Sequence, residues 1–539
     1  MCRNKAFLQQ IMGPLNISRR WLINPRKETT IINGRKCSKQ SVPQGRLAYY
    51  VLEGVSFVLA ASRRGQPLCD ARSVLTVREH GNMARTPLAA FFNIPIIWVF
   101  VLAGSGLFPV PVWGDVSKDT ILEQANKAFS KGDFQKVVEL VEPVLQEAKA
   151  SVHLHRLHIL ALARMGNSPE AMDSYEKFVQ SMKREDENLL RQAAIAIILS
   201  KRADTRVQIR GAVYTALKEI DSDEMVGFLE EGLTDGSGMI RALVAEALGK
   251  RKAGQRSERL RQALKDSAGL VRAMAVKSIG KSGDQKVIPL IKELLQDEQA
   301  LVQIAAARVL YELGQKKLWA RLERGAQSQE GYERGGAIRA FGEIKDHRAF
   351  PLLEKTARDT QPSIRAAAIV SLGKLQMPES LSIVKSALFD PIPAVRSVAA
   401  YSMGYFQLPQ VLSPLTRALA DQNPGVQAAA IASLLRVGAS FSVVKGTLHT
   451  LLQDQNPAIR SGAAKALGKG KGGEVIATLK LILNDPIPRP RIVAVRSLGR
   501  MGEHHLLPVL KRTLRDTDDA VRVTAAAAIV KVLDAKIGI

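Results

Sequence analysis

Cysteine and aromatic residues are scarce in this sequence of 539 residues. The three cysteines, Cys2, Cys37 and Cys69, all precede residue 70 and are too few for a disulfide scaffold or a four-cysteine zinc site. Phe, Trp and Tyr make up only 5% of the residues, whereas hydrophobic residues reach 46%. The chain is therefore not globally disordered, and its core must be packed mainly from Ala, Leu, Val and Ile.

Acidic residues are also scarce relative to basic ones, 51 Asp and Glu against 77 Lys and Arg, for a formal net charge of +26. Residues 1–114 hold 15 basic and only 4 acidic side chains, so the rest of the chain has a moderate net charge of +15. Residues 1–82 show no sustained helical or alternating period. We expect them to be disordered or to be an extension upstream of the true start.

Charged residues are absent between Arg85 and Asp115. Residues 83–114 have the three parts of a secretory signal: a basic start, an apolar middle, and small residues, Val112 and Gly114, before a cleavage site. An apolar segment of this kind partitions into the bilayer while its basic start stays on the cytoplasmic side. We therefore expect the remainder of the chain to be exported across a cytoplasmic membrane of bacterial type, as a periplasmic or membrane-anchored protein.

Two other interpretations of this segment remain open. Residues 88–112 are long enough to anchor the chain in a membrane, with residues 1–82 as a genuine basic extension. Prolines at positions 95, 109 and 111 disfavour an ideal spanning helix. Alternatively, the segment is merely hydrophobic and exports nothing. The choice bears on whether translation starts at Met1 or at Met83.

Residues 119–200 have the period of amphipathic helices. Within them, two segments align, and their glycines, Gly132 and Gly166, lie 34 residues apart at points that suit tight turns between helices. This spacing and the Gly-Asp-Phe and Gly-Asn-Ser turns resemble the tetratricopeptide repeat, although the leading Trp of that repeat is absent. The resemblance implies a short run of helical hairpins.

A stronger period covers residues 204–539. Arginine or glutamine, usually after Ile or Val, recurs every 31 residues with one spacing of 33, which gives eleven repeats. We number the repeats 1 to 11 by these positions, which are Arg210, Arg241, Arg272, Gln303, Arg334, Arg365, Arg396, Gln427, Arg460, Arg491 and Arg522.

An aspartate stands six residues before ten of these positions, and only Ser328 in repeat 5 breaks the series. The aspartates are Asp204, Asp235, Asp266, Asp297, Asp359, Asp390, Asp421, Asp454, Asp485 and Asp516. We expect a structural ladder in which each aspartate caps a helix and bonds the arginine of its own repeat or of a neighbour. Catalysis is not expected of it, because a catalytic site needs one constellation rather than many copies.

Glycine follows the repeat position by eight residues in seven repeats, and proline opens several second helices, as at Pro289, Pro351 and Pro508. The glycines are expected to end the first helices in left-handed caps, and the prolines to occupy first turns. The glycines are Gly249, Gly280, Gly342, Gly373, Gly404, Gly468 and Gly499.

These residues together resemble the HEAT repeat, in the short form named after phycobilisome lyases. The resemblance implies an all-α fold, a right-handed α-solenoid of about eleven helical hairpins of 31 residues each. With neighbouring helices about 8–10 Å apart, the eleven repeats are expected to extend to about 100 Å along the stack.

No metal or other cofactor is expected. HEAT-like hydroxylases carry His-Glu pairs, whereas this sequence has no His-Glu dipeptide. We expect His153, His155 and His158 to lie on a solvated helix face rather than around iron or zinc. HEAT-like lyases act on cytoplasmic antenna proteins, so the export signal disfavours that activity.

A basic column on the second helices is the first candidate for a partner surface. Residues at equivalent positions of stacked repeats lie side by side, and a basic column on the concave side would suit an acidic protein or an anionic lipid surface. The candidate residues are Lys385, Arg417, Lys480, Lys511 and Arg512. Trp319, in the irregular repeat 5, is a further candidate contact.

The sequence thus predicts an exported or membrane-tethered, non-catalytic scaffold for protein–protein interaction, without identifying its partner. A HEAT-like enzyme or enzyme subunit of the lyase or hydroxylase type is the first alternative. Nucleic-acid binding is a weaker one, because no series of aromatic residues for base stacking accompanies the basic residues and export would separate the chain from nucleic acid.

Overall fold

The computed structural model describes residues 48–52, 55–59, 118–145 and 151–537. The chain divides into two units, Met1–Phe108 and Pro109–Ile539, which we describe separately. Among the described residues, no helix combines the length and apolar character needed to cross a membrane. The predicted signal segment, 83–114, lies outside the described residues.

The first unit contains a two-stranded antiparallel hairpin. Strand β1 (Ala48–Leu52) pairs with strand β2 (Val55–Leu59), so that Tyr50 lies opposite Phe57. The sequence predicted no regular element within residues 1–82. The two segments, AYYVL and VSFVL, are rich in aromatic and β-branched residues, which favour strands.

Five helices open the second unit, and Gly132 and Gly166 lie in two of the turns between them. Gly132 and Gly166 have φ angles of 77° and 84°, a region that glycine adopts without steric cost. The helices are α1 (Lys118–Ser130), α2 (Phe134–Leu145), α3 (Val152–Met165), α4 (Ser168–Met182) and α5 (Glu187–Ser200).

Each following repeat consists of a first helix that contains the arginine position and a shorter second helix. Pro289, Pro351 and Pro508 lie in the first turns of their second helices, as predicted. The first helices are Val207–Glu219, Gly238–Leu248, Gly269–Gly280, Ala300–Glu312, Gly331–Ile344, Pro362–Leu375, Pro393–Met403, Pro424–Arg436, Pro457–Leu467, Pro488–Met501 and Asp519–Ile537.

The second helices follow in repeats 1 to 10, and that of repeat 2 is split in two. They are Val226–Gly232, Lys252–Gln255 with Glu258–Gln262, Ile288–Glu293, Trp319–Ala326, Phe350–Thr356, Pro378–Ser386, Leu412–Ala418, Phe441–Leu452, Gly473–Ile482 and Leu507–Thr513. Short 3-10 turns flank most of them, at Asp223–Met225, Ala263–Lys265, Gln285–Val287, Leu294–Gln296, Lys316–Leu318, His347–Ala349, Ala387–Phe389, Pro409–Val411 and His504–Leu506.

The repeat glycines have a different role from the predicted one. None of the seven has a positive φ, so the prediction of left-handed caps is wrong. They lie instead where first helices of consecutive repeats touch. A Cβ added to Gly342 would lie 2.6 Å from the Cα of Ser371, and one added to Gly373 would lie 2.8 Å from the Cβ of Ser402. Glycine is needed there because interiors are close-packed and the facing atoms leave no space for a side chain.

The first helices form the concave layer of the array. Each packs closely against the first helix of the next repeat, whereas second helices of consecutive repeats make few direct contacts. Helices on the inside of a curved stack are closer together than those on the outside. A continuous apolar core, running from Ile159 to Leu533, fills the space between the two layers.

The array closes on itself. The last helix, Asp519–Ile537, packs against the first helices of both repeat 10 and repeat 1, and α5 packs along it as well. Repeat 11 has no second helix of its own within the described residues, and α5 covers its helix instead. The sequence predicted the α-solenoid but not that its last repeat would pack against its first.

Candidate functional site at the inner face and rim of the ring

The predicted Asp–Arg ladder is present. Nε of Arg210 donates to Oδ2 of Asp235 at 2.7 Å, and Nη2 of Arg210 donates to Oδ1 of Asp235 at 3.1 Å. Nη1 of the same arginine donates to the main-chain carbonyl of Asp204 at 2.8 Å. The carboxylate thus pairs with the arginine of the preceding repeat, and we call each such pair a rung. Further two-bond rungs are Arg241–Asp266, Arg272–Asp297, Arg365–Asp390, Arg396–Asp421, Arg460–Asp485 and Arg491–Asp516.

The aspartates also shape the turn before each first helix. Oδ1 of Asp390 accepts the main-chain N–H of Ile392 at 2.9 Å, one residue before the helix begins. The aspartate therefore stabilises the turn and is not itself the N-cap residue. Hydrogen bonds from Arg365 are the largest reason why the pKa of Asp390 lies below its ordinary value. This repeated arrangement holds neighbouring repeats in register.

Among the described repeats, four lack a two-bond rung: repeats 4, 5, 8 and 11. Gln303 and Gln427 keep only the bond to the main-chain carbonyl of the aspartate in their own repeat, at 2.6 Å and 2.7 Å. In repeat 5, which the sequence marked as irregular, Arg334 lies 3.5 Å from Asp359. The Nε of this arginine is buried without a hydrogen-bond partner.

Ring closure depends on contacts outside the ladder. Nε of Arg191 in α5 donates to Asp534 at 2.7 Å, and Nη2 of Arg206 donates to Asp519 at 2.6 Å. On the outer side, the buried Ser168 hydroxyl donates to the carbonyl of Leu514 at 2.9 Å. Other closing ion pairs are Lys201–Asp519, Arg496–Glu219, Arg500–Glu219, His504–Glu187, Lys511–Glu185, Arg515–Asp173, Arg515–Glu176 and Lys536–Glu187.

The predicted basic column does not lie on the concave side, because the second helices that carry it form the outer layer. Lys511 donates to Glu185 at 2.5 Å as part of the ring closure. Lys385, Arg417 and Arg512 are exposed, and Lys480 is half-buried. Partner binding by these four residues stays a prediction.

Trp319 belongs to the second helix of repeat 4 rather than to repeat 5, and it is half-buried between the first helices of these two repeats. Its ring centre is 4.8 Å from that of Phe341 and 5.6 Å from that of Tyr311, and the Arg348 guanidinium lies 4.4 Å from it. The indole N–H donates to Glu323 at 2.6 Å. Partner binding by Trp319 stays a prediction.

Two of the three clustered histidines are not solvated, which corrects that prediction. His158 is buried, with its Nδ1 2.9 Å from the hydroxyl of Ser174. His155 is half-buried against the ring of Phe178, 5.6 Å away, and burial lowers the pKa of both histidines. Among the described residues, no group of three or more His, Cys, Asp or Glu is placed to hold a metal ion.

A basic inner face is the feature that the sequence reasoning missed. It consists of charged residues five and nine positions after each repeat position, on the concave side of the first helices, twelve of them basic and four acidic. The basic residues are Lys250, Lys277, Lys281, Arg308, Arg339, Lys374, Arg436, Lys465, Lys469, Arg496, Arg500 and Lys531, and the acidic ones are Glu219, Glu246, Glu312 and Glu343. The 31-residue spacing was the signal that would have revealed this set.

Contacts between non-adjacent repeats show that this face is concave. Glu219 in repeat 1 accepts a hydrogen bond from Arg500 at 3.0 Å and lies 3.1 Å from Arg496. Both arginines belong to repeat 10, so these side chains meet across the helix of repeat 11. Such a meeting is possible only where the repeats converge.

Beside this point the inner face opens into a cleft of about 670 Å³ between repeats 1, 2, 3 and 11. Burial is the largest cause that lowers the pKa of Lys250 and of Lys531 in its wall. The cleft is lined by Lys218, Glu219, Asp221, Gly249, Lys250, Gln255, Lys281 and Lys531.

One rim of the ring carries exposed apolar residues, two positions before the arginine position. Met239 and Tyr332 expose 71% and 93% of their surface, Leu301 exposes 38%, and Leu270 is half-buried. They belong to the consecutive repeats 2 to 5, and we call them the rim row. Equivalent positions of stacked repeats are neighbours, so these side chains form a strip rather than isolated apolar points.

A closed α-solenoid of helical hairpins is thus the class that this geometry defines. Residues 257–338, 320–391, 383–445 and 476–536 match the family model described as HEAT repeats. The array is built from HEAT repeats, as the spacing of its Asp and Arg residues predicted. The chain has no significant match among curated protein sequences.

Solved structures of other repeat proteins resemble parts of the chain. Human deoxyhypusine hydroxylase is 19% identical over 50% of this chain and 99% of its own, with a TM-score of 0.27. The complex of CpcE and CpcF of phycocyanin lyase from Nostoc sp. PCC7120 is 18% identical over 56% of this chain and 93% of that one, with a TM-score of 0.24. Kap95p, solved with RanGDP, is 14% identical over 77% of this chain and 64% of that one, with a TM-score of 0.31.

Proposed function

We propose that this protein is a non-catalytic scaffold that binds a protein partner through the rim row of its HEAT-repeat ring. Met239 and Tyr332, which are 71% and 93% exposed, carry the proposal. Methionine and aromatic residues are enriched at protein interfaces, where a few large side chains supply most of the binding energy. Repeat arrays offer such rows of side chains as extended binding surfaces.

Photo-crosslinking in intact cells tests this surface. A photoreactive phenylalanine analogue in place of Tyr332 is expected to yield a defined product with one protein. The matched control is the same analogue at Leu481, which is 72% exposed but lies on a second helix of repeat 9. The substitutions Met239→Ser and Leu301→Ser should reduce the Tyr332 product. Identical products from both positions, or none from Tyr332, would contradict the proposal.

The non-catalytic part of the proposal has its own test. Purified protein should contain neither stoichiometric metal nor a bound chromophore, as measured by elemental analysis and absorption spectroscopy. Either finding would favour an enzyme of the hydroxylase or lyase type instead.

We further propose that the ring acts outside the cytoplasm. The support is that residues 86–114 carry no charge and directly follow a basic residue, Arg85. The N-terminal residue of the native protein, determined by mass spectrometry on cell fractions, is expected at or near Asp115 in the envelope fraction. An intact N-terminus in the soluble cytoplasm would overturn export and return nucleic-acid binding to consideration.

A further inference from the structure

We propose that the cleft at the ring closure binds a polyphosphate group, which ties repeats 2 and 3 to repeat 11 and so locks the ring. This site is distinct from the rim row, and the inference does not depend on the proposed protein partner. It rests on the charges in the cleft, on how few of them are paired, and on where they lie in the ring.

The cleft contains more positive charge than its own acidic residues neutralise. Lys218 is engaged with Glu246 at 2.6 Å. Glu219 is already held by two arginines of repeat 10. Asp221 is the remaining acidic residue of the lining, and it is exposed.

The side chains of three lysines, Lys250, Lys281 and Lys531, form no hydrogen bond or ion pair within residues 151–537; Lys250 and Lys281 are exposed and Lys531 is half-buried. All occupy the ninth position after the repeat arginine, in repeats 2, 3 and 11. All three residues line the same cleft. Burial makes the unpaired cation of Lys531 costly, and a bound anion would offset that cost.

Burial and neighbouring cations act together on Lys531. Burial is the largest cause that lowers its pKa, Glu219 opposes the shift, Arg500 and Lys250 lower the pKa further, and Asp221 opposes the shift. Two cations and two carboxylates therefore act on this lysine. An anion of multiple charge contacts several of these groups at once.

The size and lining of the cleft narrow the ligand class. Its volume of about 670 Å³ lies in the range of small-molecule sites and excludes a folded domain. None of the described residues in the lining is aromatic, so nothing there stacks on a nucleobase. Lysine ammonium groups bind phosphate oxygens as point charges, and three of them match the charge of adjacent phosphates better than that of one carboxylate.

Because the site lies at the ring closure, a bound ligand should also stabilise the closed ring. A ligand that contacts Lys531 together with Lys250 and Lys281 binds only when repeat 11 has closed on repeats 1 to 3. Ligands that bind one state alone stabilise that state by mass action. Polyphosphate should therefore slow amide hydrogen exchange in α5 and in the last helix, Asp519–Ile537.

Titration calorimetry of the full chain with tripolyphosphate, at constant ionic strength, is the direct test. Lys531→Gln and Lys250→Gln are each expected to weaken binding by about tenfold. Lys469→Gln is the matched control, because Lys469 occupies the same ninth position in repeat 9, outside the cleft, and it should change affinity by less than about twofold. An unchanged pattern of amide hydrogen exchange in Lys250→Gln would show that this variant keeps its fold.

Comparison with other anions shows whether the cleft selects a chain of phosphates. Nucleoside triphosphate that binds as tightly as tripolyphosphate supports the proposal and assigns the phosphate chain to a nucleotide. Three outcomes would each overturn the proposal. Citrate could bind as tightly as tripolyphosphate, Lys469→Gln could lose as much affinity as the cleft variants, or tripolyphosphate could fail to bind. Tight binding without slower exchange in the last helix would overturn the locking role.

Discussion

The contacts that join consecutive repeats and the contacts that close the ring both hold neighbouring helices together, but their ion pairs differ. Within the array, consecutive first helices are held by two-bond rungs whose carboxylates are largely buried, such as Arg272–Asp297 with side chains 10% and 5% exposed. At the closure, several pairs are much more exposed, such as Arg515–Asp173 at 29% and 59%. Exposed ion pairs contribute little and are screened by salt, so these closure pairs contribute less to stability than the rungs do.

The ladder itself stops at the closure. A regular rung there would join Arg522 to Asp204. Instead, Arg522 is paired with Asp519 on its own helix, and Asp204 accepts two hydrogen bonds from Arg206, which lower the pKa of Asp204 to about 2. A rung requires the short connection that sets one repeat against the next. Repeats 11 and 1 lack that connection, and Arg206 and Lys201 pair with Asp519 there instead.

The largest effect is expected from a methyl group placed between two array helices. Gly342→Ala would bring a Cβ to within 2.6 Å of the Cα of Ser371, which the main chain of the next repeat cannot avoid without shifting. Overpacking of this kind costs about 1–3 kcal/mol of unfolding free energy. Urea denaturation measures the loss.

Gly446→Ala is the matched control, since Gly446 lies inside a helix of repeat 8 and an added Cβ meets nothing within 4 Å. It should stabilise the protein by about 1 kcal/mol through helix propensity. Equal effects of the two substitutions would show that the glycines are not packing points.

A loss of the same order is expected when a rung is reduced to the form found naturally in repeats 4 and 8. Arg365→Gln can keep the bond to the main-chain carbonyl of Asp359 but removes the two hydrogen bonds that the largely buried carboxylate of Asp390 accepts from Arg365. Losing hydrogen bonds between charged groups should cost about 1.5–3 kcal/mol. Denaturation at pH 7 checks this.

Arg334→Gln sharpens the comparison, because Arg334 already lies 3.5 Å from Asp359 and has an unsatisfied Nε. Its loss should be less than half that of Arg365→Gln. A loss as large as that of Arg365→Gln would mean that the rungs do not act through their hydrogen bonds.

The repeat and its ladder were predictable because they depend on local spacing. An aspartate six residues before an arginine, repeated every 31 residues, marks the register of helical hairpins whatever the curvature of the array. The choice of Asp235 rather than Asp204 as the carboxylate partner of Arg210 was not predictable, since the two candidates differ only in how neighbouring repeats are stacked.

Ring closure was not predictable for a related reason. It depends on a small angle between repeats that accumulates eleven times, and each angle follows from contacts such as Gly342 on Ser371. The basic inner face was predictable from the 31-residue spacing. Lys250, Lys281 and Lys531 occupy the same position in their repeats, whereas the prediction of a basic column considered only the second helices.

The smallest effect is expected from a single carboxylate of the closure. Burial alone would raise the pKa of Asp519, but hydrogen bonds from Arg206 and Lys201 outweigh it, so this pKa is lowered. A carboxylate whose pKa is lowered by folding stabilises the folded state above its unfolded pKa of about 4, and this stabilisation is lost as the pH falls through the lowered value. Asp519→Asn should therefore weaken the closure at pH 7 by about 1 kcal/mol.

Hydrogen exchange in the first helix of repeat 1, Val207–Glu219, and in the last helix reports on the closure selectively. At pH 7 the variant should exchange faster than the wild type in these two helices, and the difference should shrink as the pH is lowered below about 4. Asp454→Asn is the matched control, because repeat 8 has Gln427 in place of the arginine that would pair with Asp454. If Asp519→Asn changes exchange in all eleven first helices alike, the closure is not a separate joint, and the ring opens and unfolds as one unit.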